Sequence, residues 1–246
     1  MAQPNIKQII KQEYIKCAKD PVYFMKKYCW IQHPTRGRVQ FNLYPFQEGA
    51  LNLLQKNDRN IILKSRQLGI STLSAGISLW MMVFQKDKAI LVVATKQDTA
   101  KNLVTKVKFM YDNLPSWLQI GFVENNKLAL RLKNGSQVKA VSAASDAGRS
   151  EAISLLIIDE AAFIEENRIE EIWGSSQQTL STGGRAIVLS TPNGTGNFFH
   201  RMWTKAEEGA NGFVPIRLPW TVHPERNQEW RDKQDDELGL RMAAQE

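Results

Sequence analysis

The sequence predicts an α/β fold in which helices flank a central, mostly parallel β-sheet. Short apolar runs rich in Ile and Val recur along the 246 residues, and such runs are typical of parallel strands buried on both faces. Helix-length segments separate these runs, as right-handed crossovers between parallel strands require. The predicted strands are residues 60–64, 89–95, 154–160 and 185–191, and the predicted helices are residues 71–85, 96–114 and a helix at and after 166–173.

One section of the chain departs from this alternation. The segments KLALRL and QVKAVSA flank KNGS, and Asn-Gly is the favoured pair for a tight hairpin turn. We therefore expect an antiparallel excursion over residues 127–143. The pattern before residue 58 and after about residue 200 is helical and mixed. Residues of about 58–200 are thus expected to form a core subdomain, and residues 1–57 and 201–246 a small subdomain built from both chain ends.

Composition narrows the class of protein. A hydrophobic content of 43% is enough to bury the core of a single domain. The sequence contains no apolar stretch of about 20 residues that could cross a bilayer, and its start lacks the apolar core of a secretory signal, so a soluble, intracellular protein is expected. Neither cysteine has a CxxC partner, which argues against a structural zinc site. The net charge of +7 fits a polyanion such as nucleic acid, although many basic proteins bind none.

Residues 64–72, KSRQLGIST, have the outline of a phosphate-binding loop between a strand and a helix. Such a loop wraps an anion with backbone N–H groups at the positive end of the following helix. On the template GxxxxGK[ST], Gly69 falls on the second glycine, Ile70 on the lysine and Ser71 on the hydroxyl that binds Mg²⁺. The expected nucleotide-binding residues are Lys64, Ser65, Arg66, Gln67, Leu68, Gly69, Ile70, Ser71 and Thr72.

The lysine missing from position 70 has a candidate replacement in Lys64. Lys64 ends a predicted strand, and its four-carbon stem can reach across the loop to the phosphates that the usual lysine neutralises. Arg66 lies beside it and can share these contacts. The alternative is a helix capped by a serine after a strand, with Lys64 and Arg66 merely solvated.

Two adjacent carboxylates, Asp159 and Glu160, end the apolar strand SLLIIDE. Neighbouring strand residues point to opposite faces, so the two acids need different roles. Asp159 can hold Mg²⁺ through water, and Glu160 can orient or deprotonate the attacking water. The alternative is a helix start with acidic residues near its positive end.

A third group of polar residues follows the strand RAIVLS. Ser190, Thr191 and Asn193 are expected beside the phosphate loop, because ligands of open α/β sheets collect at the carboxyl ends of strands. There they can sense whether the γ-phosphate is present. The alternative is that the Pro-Asn-Gly sequence forms only a turn.

These segments resemble a known family. KSRQLGIST, the strand that ends in DEAAF, and STPNGTGNFFHRMW resemble the ATPase half of the large terminase subunit of tailed bacteriophages, most of all the T-even-like branch, over about residues 40–220. The resemblance implies a P-loop ATPase that uses ATP and Mg²⁺ to pack double-stranded DNA into an empty capsid. It also implies a portal protein and a small terminase subunit as partners, a homo-oligomeric ring when docked, no membrane contact, and a place in the host cytoplasm and transiently at the portal.

The resemblance extends to single residues. Some family members carry the loop lysine at the start of the loop, as Lys64 is here. Gln47 in LYPFQEGAL resembles the glutamine that reads the adenine edge, although it also suits the polar side of an amphipathic helix. Arg149 in DAGRSEAIS resembles an arginine offered to a neighbouring subunit's nucleotide, although a lone arginine is often a solvated surface group.

The end of the sequence bears on domain content. Complete large terminases continue into a nuclease domain with an acidic metal-binding cluster, and the acids of DKQDDE lie in a charged helical context unlike it. We therefore expect residues 1–246 to form a single ATPase domain without the nuclease domain. Two alternative functions remain open: a helicase-like P-loop ATPase, and a non-hydrolysing nucleic-acid-binding module. Ile70 and the basic charge favour the binding module, whereas an intact Glu160 argues against it.

Overall fold

A computed structural model describes residues 5–143, 152–243 and 245 of the chain. The strands in this part of the chain form a small hairpin and a large sheet. The hairpin pairs β1 (Trp30–His33) with β2 (Gly37–Gln40). The large sheet contains β3 (Arg59–Lys64), β4 (Ala89–Ala94), β5 (Phe122–Asn125), β6 (Ala129–Leu132), β7 (Gln137–Ser142), β8 (Leu155–Asp159), β9 (Arg185–Ser190) and β10 (Val214–Leu218).

The helices account for most of the remaining described residues. They are α1 (Ile6–Lys19), α2 (Pro21–Tyr28), α3 (Pro45–Lys56), α4 (Ile70–Phe84), α5 (Gln97–Asp112), α6 (Glu166–Ser181), α7 (Phe198–Glu207), α8 (Gln228–Leu238) and α9 (Leu240–Ala243). Short 3₁₀ turns occur at Ser116–Leu118, Ala161–Phe163 and Trp220–Val222. Among the described helices, none is both long and apolar enough to span a membrane.

The order of the large sheet is β10-β3-β9-β8-β4-β7-β6-β5. Neighbours from β10 to β7 are parallel, and β7, β6 and β5 pair in antiparallel fashion. The predicted α/β fold with a mostly parallel sheet is therefore confirmed. The expected excursion over residues 127–143 corresponds to β6 and β7, to which β5 adds a further edge strand.

Alternation along the strands divides the interior into two cores, one on each face of the sheet. On β3, Ile62 packs into the core beneath α4 and α5, whereas the adjacent Ile61 packs into the core beneath α6 and α7. Leu156 and Ile157 on β8 divide in the same way. Because both faces are covered, these strands consist almost entirely of apolar residues, which explains why they were recognisable in the sequence.

The proposed small subdomain of residues 1–57 and 201–246 remains a prediction. The strand β10 nevertheless pairs with β3, so residues 214–218 belong to the central sheet. The first three helices also pack against this sheet, because Cys17, Phe24, Leu51 and Leu54 lie in the same core as α4.

Candidate nucleotide site

The parallel strands β3, β9 and β8 lie side by side, so their carboxyl ends meet at one edge of the sheet. Lys64 ends β3, Ser190 ends β9 and Asp159 ends β8. Three residue groups that are far apart in the sequence therefore come together, as expected for an open α/β sheet.

The loop after β3 leads directly into α4 and requires glycine at one position. Gly69 precedes the helix with φ of +73°, in the left-handed region that glycine adopts without strain. A Cβ atom at Gly69 would also lie 2.7 Å from Nε2 of Gln47, closer than real side chains approach. The backbone conformation thus favours glycine where the phosphate-loop template has it, and a larger residue would also displace the Gln47 amide.

A cavity of about 390 Å³ lies over this loop. Its walls include the residues that the sequence singled out on both β3 and β8, together with a lysine from α5 that it did not. The lining residues are Lys64, Arg66, Gln67, Leu68, Gly69, Ile70, Ser71, Thr72, Lys106 and Glu160.

Lys64 is the most buried of the cations that line this cavity. Its side chain is only 7% exposed, and its Nζ lies 2.9 Å from Oε1 of Glu160. At the usual lysine position, by contrast, Ile70 is 1% exposed and packs into the core beneath α4. The structure therefore brings a lysine to the loop from position 64, while position 70 contributes to folding.

Glu160 is held through both carboxylate oxygens. Oε1 pairs with Lys64, and Oε2 accepts from the backbone N–H and the hydroxyl of Thr191 at 3.4 and 3.3 Å. The residue follows β8 with φ of 54°, a left-handed conformation that is uncommon outside glycine. Such conformations cost energy and persist only where the surrounding structure holds them in place. They are concentrated at functional sites.

Asp159 is buried, and its Oδ1 has no hydrogen-bond partner among the described residues. Burial raises the pKa of this carboxyl, whereas the charge of Lys64 and a hydrogen bond with the Ser71 side chain act in the opposite direction. Buried polar atoms in native proteins are normally satisfied, so an unpaired carboxylate oxygen beside a hydroxyl is suited to binding a cation. Oxygen donors of this kind suit Mg²⁺, which binds through one or two carboxylates and otherwise uses water and phosphate oxygens.

The polar residues after β9 hold the turn that follows Glu160. Ser190 Oγ accepts from the N–H of Ala162 at 3.1 Å, and Asn193 Nδ2 donates to the carbonyl of Ala162 at 3.0 Å. With the contact between Thr191 and Glu160, all three polar residues of this group lie next to the acidic end of β8. Their role in sensing the γ-phosphate remains a prediction.

Gln47 lies in the first turn of α3 and contacts the phosphate loop. Its side chain is buried, Nε2 donates to the Leu68 carbonyl at 2.9 Å, and Oε1 accepts from the Tyr44 N–H at 3.0 Å. The amide thus ties the start of α3 to the phosphate loop. One N–H and one lone pair remain for a base, and adenine recognition by Gln47 stays a prediction.

Arg66 and the end of the chain form contacts that the sequence did not reveal. A guanidinium nitrogen of Arg66 donates to Oε1 of Gln245, while Arg226 donates to Ser65 Oγ and to the Arg66 carbonyl, each at 2.8 Å. Arg226 thus binds Ser65 and Arg66, the two residues that follow β3, although it lies about 160 positions further along the chain. Arg149, the expected trans-acting arginine, lies outside the described residues.

A parallel sheet with a phosphate-binding loop after β3 and an Asp-Glu pair at the end of β8 defines the P-loop NTPase fold. The chain belongs to the family described as "Terminase large subunit, T4likevirus-type, N-terminal", which matches residues 61–241. The resemblance to the large terminase family that the sequence indicated is thereby confirmed.

Solved structures support the same fold. The HK97 bacteriophage large terminase is similar with a TM-score of 0.68 and 18% identity, over 89% of this chain and 47% of that one. The large terminase ATPase domain of Thermus phage P74-26 gives a TM-score of 0.66 and 21% identity, over 82% and 92% of the two chains. A large terminase of a thermophilic bacteriophage in complex with ADP gives 0.62 and 12%, over 79% and 50%. The chain thus spans about half the length of the HK97 protein.

Proposed function

We propose that this domain hydrolyses ATP and uses the energy to move double-stranded DNA into a viral capsid. The observation that supports the proposal most is the placement of Lys64 beside Glu160 in the cavity over the phosphate loop. Family membership adds the biological setting. A large terminase of similar fold is known in complex with ADP, which supports nucleotide as the ligand.

The ion pair between Lys64 and Glu160 has a specific role in this proposal. In the described state, each charge neutralises the other at 2.9 Å. Nucleotide phosphates compete with Glu160 for the lysine, so binding releases Oε1 of Glu160. Thr191 still holds Oε2, which leaves the released oxygen free to accept a proton from water.

The unpaired Oδ1 of Asp159 supports a metal site in this proposal. Asp159 and Ser71 would hold Mg²⁺, which when bound neutralises charge on the phosphate oxygens. Arg66 turns from Gln245 towards the phosphates as a further cation. Gln47 holds the loop against α3 through its hydrogen bond to the Leu68 carbonyl, and its remaining N–H would donate to the adenine base.

The polar contacts after β9 offer a route for coupling. Because Thr191 and Asn193 touch the turn around Glu160, a change in the pairing of Glu160 reaches the segment that leads into α7. We propose that double-stranded DNA, a portal protein and a small terminase subunit are the partners of this motor. In this proposal the protein is located in the host cytoplasm and forms a homo-oligomeric ring when it docks at the portal.

We expect Arg149 to act on the nucleotide of a neighbouring subunit in that ring. Mixing Arg149→Ala with Glu160→Gln protein should then restore part of the activity, because one interface can combine an intact Arg149 with an intact Glu160. A trans-acting arginine is worth about 10³–10⁵ in rate in related phosphoryl-transfer systems, so recovery should be easy to detect. The measurement is phosphate release from each variant alone and from the mixture.

Light scattering on the same mixture provides the control that the two variants associate. Activity that stays at the level of the separate variants, in subunits shown to associate, contradicts a role in trans and assigns Arg149 to its own subunit or to the surface.

A non-hydrolysing nucleic-acid-binding module is the second candidate. Two observations favour it. The buried Ile70 stands where the usual lysine would be, and Lys64 is paired with Glu160. A helicase-like ATPase would use the same loop and differ by separating DNA strands.

Phosphate release from the purified chain with Mg-ATP, with and without duplex DNA, distinguishes these functions. We expect hydrolysis that duplex DNA stimulates, without strand separation of a labelled duplex. ATP binding without hydrolysis under any DNA condition favours the binding module, and ATP-dependent strand separation favours the helicase.

A further inference from the structure

A lysine from a neighbouring helix faces the cavity over the phosphate loop. Lys106 lies in the middle of α5, which packs along α4, and its half-exposed side chain lines the same cavity as Lys64 and Glu160. The flanking Val104 and Val107 are buried against the core, which fixes the orientation of this helix. Thr72 and Lys106 also line an adjoining cavity of about 340 Å³, so the lysine stands where the two cavities meet.

The other cations of the cavity are engaged. Lys64 pairs with Glu160, and Arg66 donates to Gln245. Lys106 forms no ion pair with any residue in the described part of the chain. A nucleoside triphosphate brings several negative charges to a loop in which Ile70 supplies none.

The neighbouring lysines of α5 differ from Lys106. Lys101 pairs with Asp98 at 3.8 Å, and Lys108 pairs with Asp112 at 2.8 Å. Both line a separate surface cavity rather than the one over the loop. Pairing within one helix accounts for these two lysines, whereas it does not account for Lys106.

We propose that Lys106 contacts the polyphosphate of the bound nucleotide and supplies part of the positive charge that Ile70 does not. A lysine is suited to this task because it is a compact point charge on a flexible stem that reaches phosphate oxygens without a fixed geometry. The inference rests on the proposed nucleotide-binding function and extends it to a residue from outside the loop and the acidic strand.

Equilibrium binding of a fluorescent ATP analogue with Mg²⁺ tests this assignment without relying on turnover. We expect Lys106→Ala to weaken binding by about tenfold, the effect of losing one charge-assisted hydrogen bond. Lys106→Arg keeps the charge and should stay within about threefold of the wild type. Lys101→Ala, which removes a lysine from the same helix but not from the cavity, should bind as the wild type does.

Other outcomes overturn the assignment in distinguishable ways. Unchanged binding by Lys106→Ala, with binding lost in Lys64→Ala, refutes the role of Lys106 and leaves the proposed function intact. Normal nucleotide binding with weakened binding of duplex DNA would place Lys106 on the path of the DNA instead. A wild-type chain that does not bind the analogue contradicts the proposed function and the role of Lys106 with it. Thermal melting of each variant confirms that it is folded.

Discussion

Replacing Glu160 with glutamine is expected to slow ATP hydrolysis by at least about 10²-fold, in the range that loss of a general base produces. Glutamine has nearly the same shape and can still accept from Thr191, which holds Oε2 in the present structure. It cannot take a proton from water. Phosphate release with saturating Mg-ATP measures the effect.

The same substitution should leave ATP binding intact or make it tighter. Glu160 holds the ammonium group of Lys64 at 2.9 Å, so it competes with the phosphates for that lysine. A neutral glutamine removes the competitor. Glu165→Gln is a matched control, because Glu165 is an exposed carboxylate five residues further along and should have no effect on either quantity. Equal turnover in the wild type and Glu160→Gln would refute the assigned role.

Removing the ammonium group of Lys64 should also have a large effect, on both ATP binding and ATP hydrolysis. Lys64→Ala is expected to weaken ATP binding by roughly 10- to 10²-fold, the loss of a hydrogen bond to a charged group, and to abolish measurable hydrolysis. Lys64→Met is the companion variant, because it keeps the apolar stem of a side chain that is only 7% exposed. Titration with a fluorescent ATP analogue and phosphate release are the two measurements.

Substitutions at positions 66 and 70 distinguish the two candidate cations. The wild-type chain should be active with isoleucine at position 70, and Ile70→Lys should lower that activity. Ile70 is buried in the core, and a second ammonium group would compete with Lys64 for the phosphates. Arg66→Ala should retain more activity than Lys64→Ala. Normal hydrolysis by Lys64→Ala together with inactive Arg66→Ala would assign the role to Arg66.

The sequence predicted the centre of the fold better than its edges. The strands β3, β4, β8 and β9 are buried on both faces and therefore consist of continuous apolar runs. The edge strand β10, VPIRL, contains a proline and an arginine, and the hairpin strands β1 and β2 are short and partly exposed. Such strands lack a distinctive pattern, because tertiary pairing rather than local sequence stabilises them.

The candidate site shows a similar division. Lys64, Asp159, Glu160, Ser190 and Thr191 could be expected together because each stands at or just after the carboxyl end of a strand. Arg226 and Lys106 could not, since the first reaches the loop from the end of the chain and the second from a helix that carries several lysines. The bond of Gln47 to the Leu68 carbonyl likewise depends on how α3 packs against the loop.

A structure of the protein with Mg²⁺ and a non-hydrolysable ATP analogue tests the central claim most directly, because the claim concerns the position of one ammonium group. We predict that Nζ of Lys64 leaves Glu160, from which it lies 2.9 Å in the present structure. It should then lie about 2.7–2.9 Å from a β- or γ-phosphate oxygen, the distance of a charge-assisted hydrogen bond. A Lys64 that remains paired with Glu160, while Arg66 alone contacts the phosphates, would contradict the account.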